Sequence, residues 1–165
     1  MFLEEFYDYK NRLIGDLLTD AEIVHLINPA VELSDAKSLV HTQVYPYEYI
    51  PDTVENANTF VCCDVDIQKS INKMLLIPVM YVWVFSHKSL LKLPEGGLRV
   101  DRLVSDIAKK VNGSKFYGIG EIELTAVRRF APVTDYNGKV MTFQTKEFNH
   151  PAPDMRPIPS NRKRS

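Results

Sequence analysis

The sequence predicts an α+β fold, with a single domain over residues 1–149 and a separate tail over residues 150–165. Three observations predict it. Between Met74 and Asn149 the elements follow a legible order: a long apolar strand, a loop broken by Gly96-Gly97, an amphipathic helix, and two strands flanking Asp135-Tyr136-Asn137-Gly138. Helical periodicity opens the chain, whereas residues 59–68 alternate with a period of two. The chain has 165 residues, 45% hydrophobic and 25% charged, enough to bury one sizeable core.

Leu3, Phe6, Leu13, Ile14 and Leu17 fall on one helical face, so residues 2–18 are expected to form the first helix. Thr19 followed by Glu22 has the form of a capping box. It predicts a short second helix carrying Ile23, Val24 and Ile27, stopped at Asn28-Pro29. Residues 30–35 read as a connection and residues 39–45 as a strand. In Tyr45-Pro46-Tyr47-Glu48-Tyr49-Ile50-Pro51 the two prolines forbid a helix and limit ladder pairing. This segment is either an exposed arm, with Tyr45, Tyr47 and Tyr49 suited to contact a neighbouring subunit, or a loop folded over its own core.

Thr59, Val61, Cys63, Val65 and Ile67 alternate with Phe60, Cys62, Asp64, Asp66 and Gln68, as in a half-buried strand whose outer face turns acidic. Residues 74–85 are apolar on both faces and predict a central strand covered on both sides, with a bulge or unpaired position at Pro78. Val100, Leu103, Val104, Ile107, Ala108 and Val111 mark one face of a helix. Asp101 suits its positive first turn, Lys109-Lys110 its negative last turn, and Asn112-Gly113 its left-handed stop. Residues 121–130 and 139–148 should form a hairpin turned by Asp135-Tyr136-Asn137-Gly138. From His150 onward, four prolines and a basic end make a tail that cannot fold alone.

Composition and motifs exclude more than they propose. A net charge of −1 argues against a general binder of nucleic acid or membrane surfaces. Residues 151–165 hold Arg156, Arg162, Lys163 and Arg164 against Asp154, a net of +3, which leaves −4 for the rest. That tail could be a nucleic-acid patch, a free end, or an arm that docks on another subunit. The adjacent Cys62 and Cys63 are expected to be reduced core residues of a cytoplasmic protein, since a disulfide between neighbours in a strand is strained. The start Met1-Phe2-Leu3-Glu4-Glu5 lacks the form of a signal peptide, and residues 74–85 fall short of the roughly 20 needed to span a bilayer. A protein that is soluble and not exported by that route is therefore expected.

Asp64 with Asp66, and Glu121 with Glu123, could bind a divalent cation or divide acid and base roles; the alternative is a solvated sheet face. Asp52, Asp64, Asp66 and Lys69 approach a metal-dependent nuclease pattern, but the lysine stands one residue out of register. His25, His41, His87 and His150 are scattered without partners at ligand spacing. Gly118-x-Gly120 precedes a strand instead of the helix that a phosphate loop requires. No catalytic, metal or cofactor site is expected.

Several segments carry a resemblance: residues 45–52, Thr59-Phe60-Val61, Gly97-Leu98-Arg99-Val100-Asp101-Arg102, Asn112-Gly113-Ser114, Phe116-Tyr117-Gly118-Ile119-Gly120 and residues 143–149. In these, and in order of elements over residues 1–149, the chain resembles the tail-terminator and tail-completion group of small neck proteins in long-tailed bacteriophages. The resemblance implies a single twisted, mostly antiparallel sheet with helices on one face, assembled as a homo-oligomeric ring, usually a hexamer. Such a ring caps the tail tube, joins it to head connector or adaptor proteins, and passes genomic DNA through its channel. It implies a virion protein assembled in the host bacterial cytoplasm, without enzyme activity, cofactor or membrane partner. Asp64, Asp66, Glu121 and Glu123 are the candidate channel lining. Tyr45, Tyr47, Tyr49, Arg156, Arg162, Lys163 and Arg164 are the candidate subunit contacts. A head–tail adaptor or stopper ring, or a small metal-dependent nuclease, is the alternative.

Overall fold

The computed structural model describes residues 5–52, 57–71, 75–117 and 120–145. In chain order the elements are α1 (Phe6–Leu17), α2 (Ala21–Ile27), a 3₁₀ helix (Leu33–Leu39), β1 (Val44–Tyr45), β2 (Thr59–Ile71), β3 (Leu75–His87), α3 (Arg99–Val111), β4 (Ile122–Phe130) and β5 (Tyr136–Thr145). The fold is α+β. Its five strands form one mixed sheet in the order β1-β2-β3-β5-β4, in which only β1 runs parallel to its neighbour.

The three α-helices lie on one face of the sheet, α1 over β2 and α3 over β3, β5 and β4. The main core is built between these layers. Leu13 and Leu17 of α1 and Leu103 and Ile107 of α3 meet Val61, Cys63, Met80, Val82, Met141 and Phe143 of the sheet. Burying a side chain of that size is worth about 1.5–3 kcal/mol, so the apolar stripes dictate which face each helix presents. α3 follows its periodicity: Val100, Leu103, Val104, Ile107 and Val111 are buried, and Gly113 (φ 79°) provides the left-handed stop. No helix among the described residues is long and apolar enough to cross a membrane.

Polar ties lock the helical layer. The Tyr117 hydroxyl, buried beneath α1, donates to Asp16 Oδ2 at 2.6 Å, while Lys110 Nζ stands 3.5 Å from the other carboxylate oxygen. Burial, then the Asp16 contact, hold the Tyr117 phenol well above its ordinary range. Arg99 is buried, and its Nη1 donates to the Leu26 carbonyl at 2.6 Å and its Nε to the Leu90 carbonyl at 2.9 Å. It thereby satisfies a carbonyl of the last turn of α2 that has no partner within that helix.

Three local expectations are corrected. α2 is capped by Asp20, whose Oδ1 accepts from the Glu22 and Ile23 amides, whereas the Thr19 hydroxyl donates back to the Asp16 carbonyl. Residues 39–45 are not one strand: Leu39 ends the 3₁₀ helix, His41 takes a positive φ of 63°, and only Val44 and Tyr45 join the sheet. Pro46 follows without an amide proton, so β1 cannot continue along β2. The hairpin turns before Asn137-Gly138: Asp135 has φ 70°, and Tyr136, Asn137 and Gly138 already pair with β3. A Cβ on Gly138 would stand 2.5 Å from Phe85 Cβ, so this glycine serves a close strand approach and not a turn.

The irregularity expected at Pro78 occurs on its partner strand. The β2–β3 register shifts between Ile67 and Lys69, opposite Pro78, and pairing with β5 begins only at Val79. The segment 150–165 lies outside the described residues.

Candidate functional site

Strand alternation decides where the acidic pairs go. On the sheet face opposite the helices, Asp66 stands opposite Val79, Val79 opposite Gln144, and Gln144 opposite Glu123. One row along, Asp64 faces Tyr81, Tyr81 faces Thr142 and Thr142 faces Ala126. Asp64 and Asp66 share one face, as their spacing predicts, and the sheet register brings Glu123 to the same face, but the three are not a cluster. Asp66 and Glu123 are separated by three strand steps, about 14 Å at the usual spacing. Glu121 precedes β4, with Lys115 Nζ at 3.6 Å.

Asp64 is held on its own side of the sheet. Lys10 of α1 reaches around the edge of β2 where β1 ends, with Nζ 3.1 Å from Asp64 Oδ1 and 2.9 Å from the Pro46 carbonyl. The same carboxylate oxygen accepts from the Val65 amide at 2.9 Å. The β2–β3 register shifts between Ile67 and Lys69, within the stretch over which the mismatch of the lysine with Asp64 and Asp66 is counted, and Lys69 pairs with Ile77. The side chain of Lys69 lies outside the described residues. Among the described residues, no three His, Cys, Asp or Glu side chains are grouped to hold a metal ion.

The aromatic segment folds back onto the sheet. Tyr45 is only 7% exposed and stacks on Tyr49 with ring centroids 4.1 Å apart. Both rings join Phe60, Phe85, Phe130 and Tyr136 in a second core that covers one end of the sheet face opposite the helices. Burial, then the neighbouring Tyr49, push the Tyr45 phenol up to about 12. Of the two readings of this segment, the loop folded over its own core describes Tyr45 and Tyr49, so these two rings are not free in the way an exposed arm would leave them. Tyr45 is spent on the chain's own core and Tyr49 is half-buried against it, while Tyr47 (46% exposed) and Ile50 (58% exposed) remain on the surface. The reason is energetic: Phe60 and Phe85 would otherwise leave a large apolar patch in water. Arg156, Arg162, Lys163 and Arg164 lie outside the described residues.

Cys62 and Cys63 are both free and buried, on opposite faces of β2, Cys63 in the main core and Cys62 in the aromatic one. Burial pushes each thiol up to about 12, which makes both poor nucleophiles. His87 Nδ1 accepts from the Ser89 amide at 3.2 Å, a capping contact at the end of β3.

One surface escaped the periodicity argument. Between α1 and the 3₁₀ helix lies a groove of about 540 Å³, lined by Ile14, Gly15, Leu18, Leu33, Ala36 and Val40. The sequence signal for it was Gly15, a helix-interior glycine on the side of α1 away from the core.

Residues 11–145 match the model of the YomW family, and the chain belongs to that family. YomW is a phage-like gene name, which points to a prophage protein. The match ends at the last residue of β5. No curated protein matches the chain.

Proposed function

We propose that this YomW-family chain is a structural subunit of a phage neck. In this reading it forms a ring that caps the tail tube, joins it to the head connector, and lets DNA pass through its channel. The observation that carries it is the sheet face opposite the helices, which presents Asp64, Asp66 and Glu123 in the absence of a metal-holding group among the described residues. Carboxylates spread over a wide face repel phosphates instead of gripping them, as a conduit for DNA requires. Lys10 offsets one of these charges, and Arg128 shares the face, so the lining would be weakly acidic.

The shape of the sheet supports a ring for a second reason. Its two sides differ: one ends in the short β1 with the 3₁₀ helix beside it, the other in β4. Subunits set side by side in one orientation would join unlike edges, and such head-to-tail contacts close into rings when the rotation per subunit divides a full turn.

Native mass of the purified full chain across a concentration series, with negative-stain images, tests this. A closed ring of six supports the terminator role, and one of twelve moves the assignment to a head–tail adaptor. A strict monomer at every concentration, together with a melting temperature raised by magnesium or manganese, would replace the structural reading with a metal-dependent enzyme.

A further inference from the structure

Gly15 sits in the middle of α1, where a glycine costs about 0.5–1 kcal/mol relative to alanine. Nothing among the described residues requires it, because a Cβ built there meets none of their atoms within 4 Å. It lies exposed on the floor of the groove between α1 and the 3₁₀ helix, and leaves a stretch of helix backbone bare for close approach. Around it the floor is apolar. Leu33, at 46% exposed, stands on the rim.

The groove continues along the 3₁₀ helix into a recess lined by Glu32 and Asp35, sharing Ser34 and Lys37 with it. Both carboxylates are exposed, and neither has a basic group of a described residue within ion-pair distance. An occupant with an apolar stripe followed by positive charge would fit both parts.

The chain contains such a segment. Pro151, Pro153, Pro157 and Pro159 favour a polyproline II conformation, which repeats every three residues. At that period Ala152, Met155 and Ile158 fall on one face, and Arg162, Lys163 and Arg164 follow. In that conformation Met155 and Ile158 would stand about 9 Å apart, within the roughly 12 Å of α1 between Asn11 and Thr19 that lines the groove.

The direction of the chain selects whose segment it is. The groove lies at the β1–β2 side of the molecule, while the chain leaves the sheet from β5, beside β4 at the opposite side. In a head-to-tail arrangement those two sides face each other across a subunit boundary. We infer that the groove between α1 and the 3₁₀ helix seats residues 152–164 of a neighbouring copy of this chain. The inference rests on the ring reading above and names the contact that links one subunit to the next.

Cross-linking the full-length chain tests it. In a Gly15→Cys/Ile158→Cys variant, a short bis-maleimide should give a ladder of covalent multimers on a denaturing gel. Cys62 and Cys63 are buried and do not compete. Adding Met155→Asp should lower the multimer yield at least tenfold. Leu33→Cys paired with Ile158→Cys should behave alike, which guards against a local effect at Gly15. Cross-links confined within single chains, multimers indifferent to Met155→Asp, or no cross-link at all would overturn the inference. Native mass of the unmodified protein separates the two failures. A closed ring without the cross-link defeats the arm alone, whereas a monomer throughout defeats the ring reading as well.

Discussion

Two glycines in this chain should respond to the same substitution with opposite signs. At Gly138 an alanine Cβ would lie 2.5 Å from Phe85 Cβ and 2.7 Å from Phe85 Cα, and closer still to the Val84 carbonyl oxygen. Carbon atoms in ordinary contact stand about 3.5–4.0 Å apart, so β5 would have to move off β3 by about 1 Å. The obstacle is backbone of the central strand, which cannot rotate away as a side-chain tip could. Overpacking of this kind costs about 1–3 kcal/mol, and a disturbed ladder bond about 1 kcal/mol more. We expect Gly138→Ala to cost about 2–4 kcal/mol, or on the order of 10 °C in Tm for a chain of this length. Gly15→Ala meets open space in a helix and should gain about 0.5–1 kcal/mol. Urea unfolding followed by far-UV circular dichroism measures both, with the slope m checked for constancy. A loss below about 1 kcal/mol for Gly138→Ala would refute the close β3–β5 approach and return Asn137-Gly138 to a turn.

Other perturbations separate the remaining claims. Asp20→Ala should cost about 1 kcal/mol by stripping the cap from α2, whereas Thr19→Ala should change stability by a few tenths; equal losses in urea unfolding would restore the capping box at Thr19. Ile107→Asp places a charge in the fully buried face of α3 and should abolish the cooperative unfolding transition. Raised thiol and phenol pKa values also fix a pH dependence. Cys62 and Cys63 rise from 9.0, and Tyr45 from 10.0, each to about 12 in the folded chain. Their contribution is fully present below pH 9, where both folded and unfolded forms are protonated, and is lost as pH climbs from about 9 towards 12. The urea midpoint should be level from pH 7 to 8.5 and fall by pH 10.5; an unchanged midpoint at pH 10.5 would place these groups in water.

Legibility in the sequence followed the length scale of the cause. The stripe on α3, the alternation on β2 and the doubly apolar β3 arise from repeated burial within one element, and each stands where its period puts it. The errors came where a residue answers to something distant in sequence. Gly138 looked like half of an Asn-Gly turn, but Phe85, on another strand, is what forbids it a side chain. The segment of Tyr45 and Tyr49 left two readings open because Phe60 and Phe85, which decide between them, belong to strands outside the segment itself. The carboxylates show both cases. Alternation placed Asp64 and Asp66 on one face, but nothing local announced that Lys10 would reach around an edge to Asp64.

That lysine bears on how copies could join. Because Pro46 ends β1 after two residues, the edge of β2 away from β3 has no partner strand among the described residues from Cys63 onward, and such an open edge invites pairing with another chain. Lys10 sits at that point, bridging Asp64 and the Pro46 carbonyl, and a charged side chain over an edge discourages strand addition. The opposite edge carries Arg128 and Arg129, both exposed, on β4. With both edges guarded by positive charge, sheet-to-sheet pairing between copies would bring those cations together and desolvate them. A contact made through side chains in a groove avoids that cost. Lys10→Ala then offers a discriminating outcome. If copies associate by an arm, removing the lysine should leave the native mass of the assembly unchanged. If they associate by strand addition at β2, it should drive assembly past a closed ring towards filaments, and such filaments in negative stain would refute the arm.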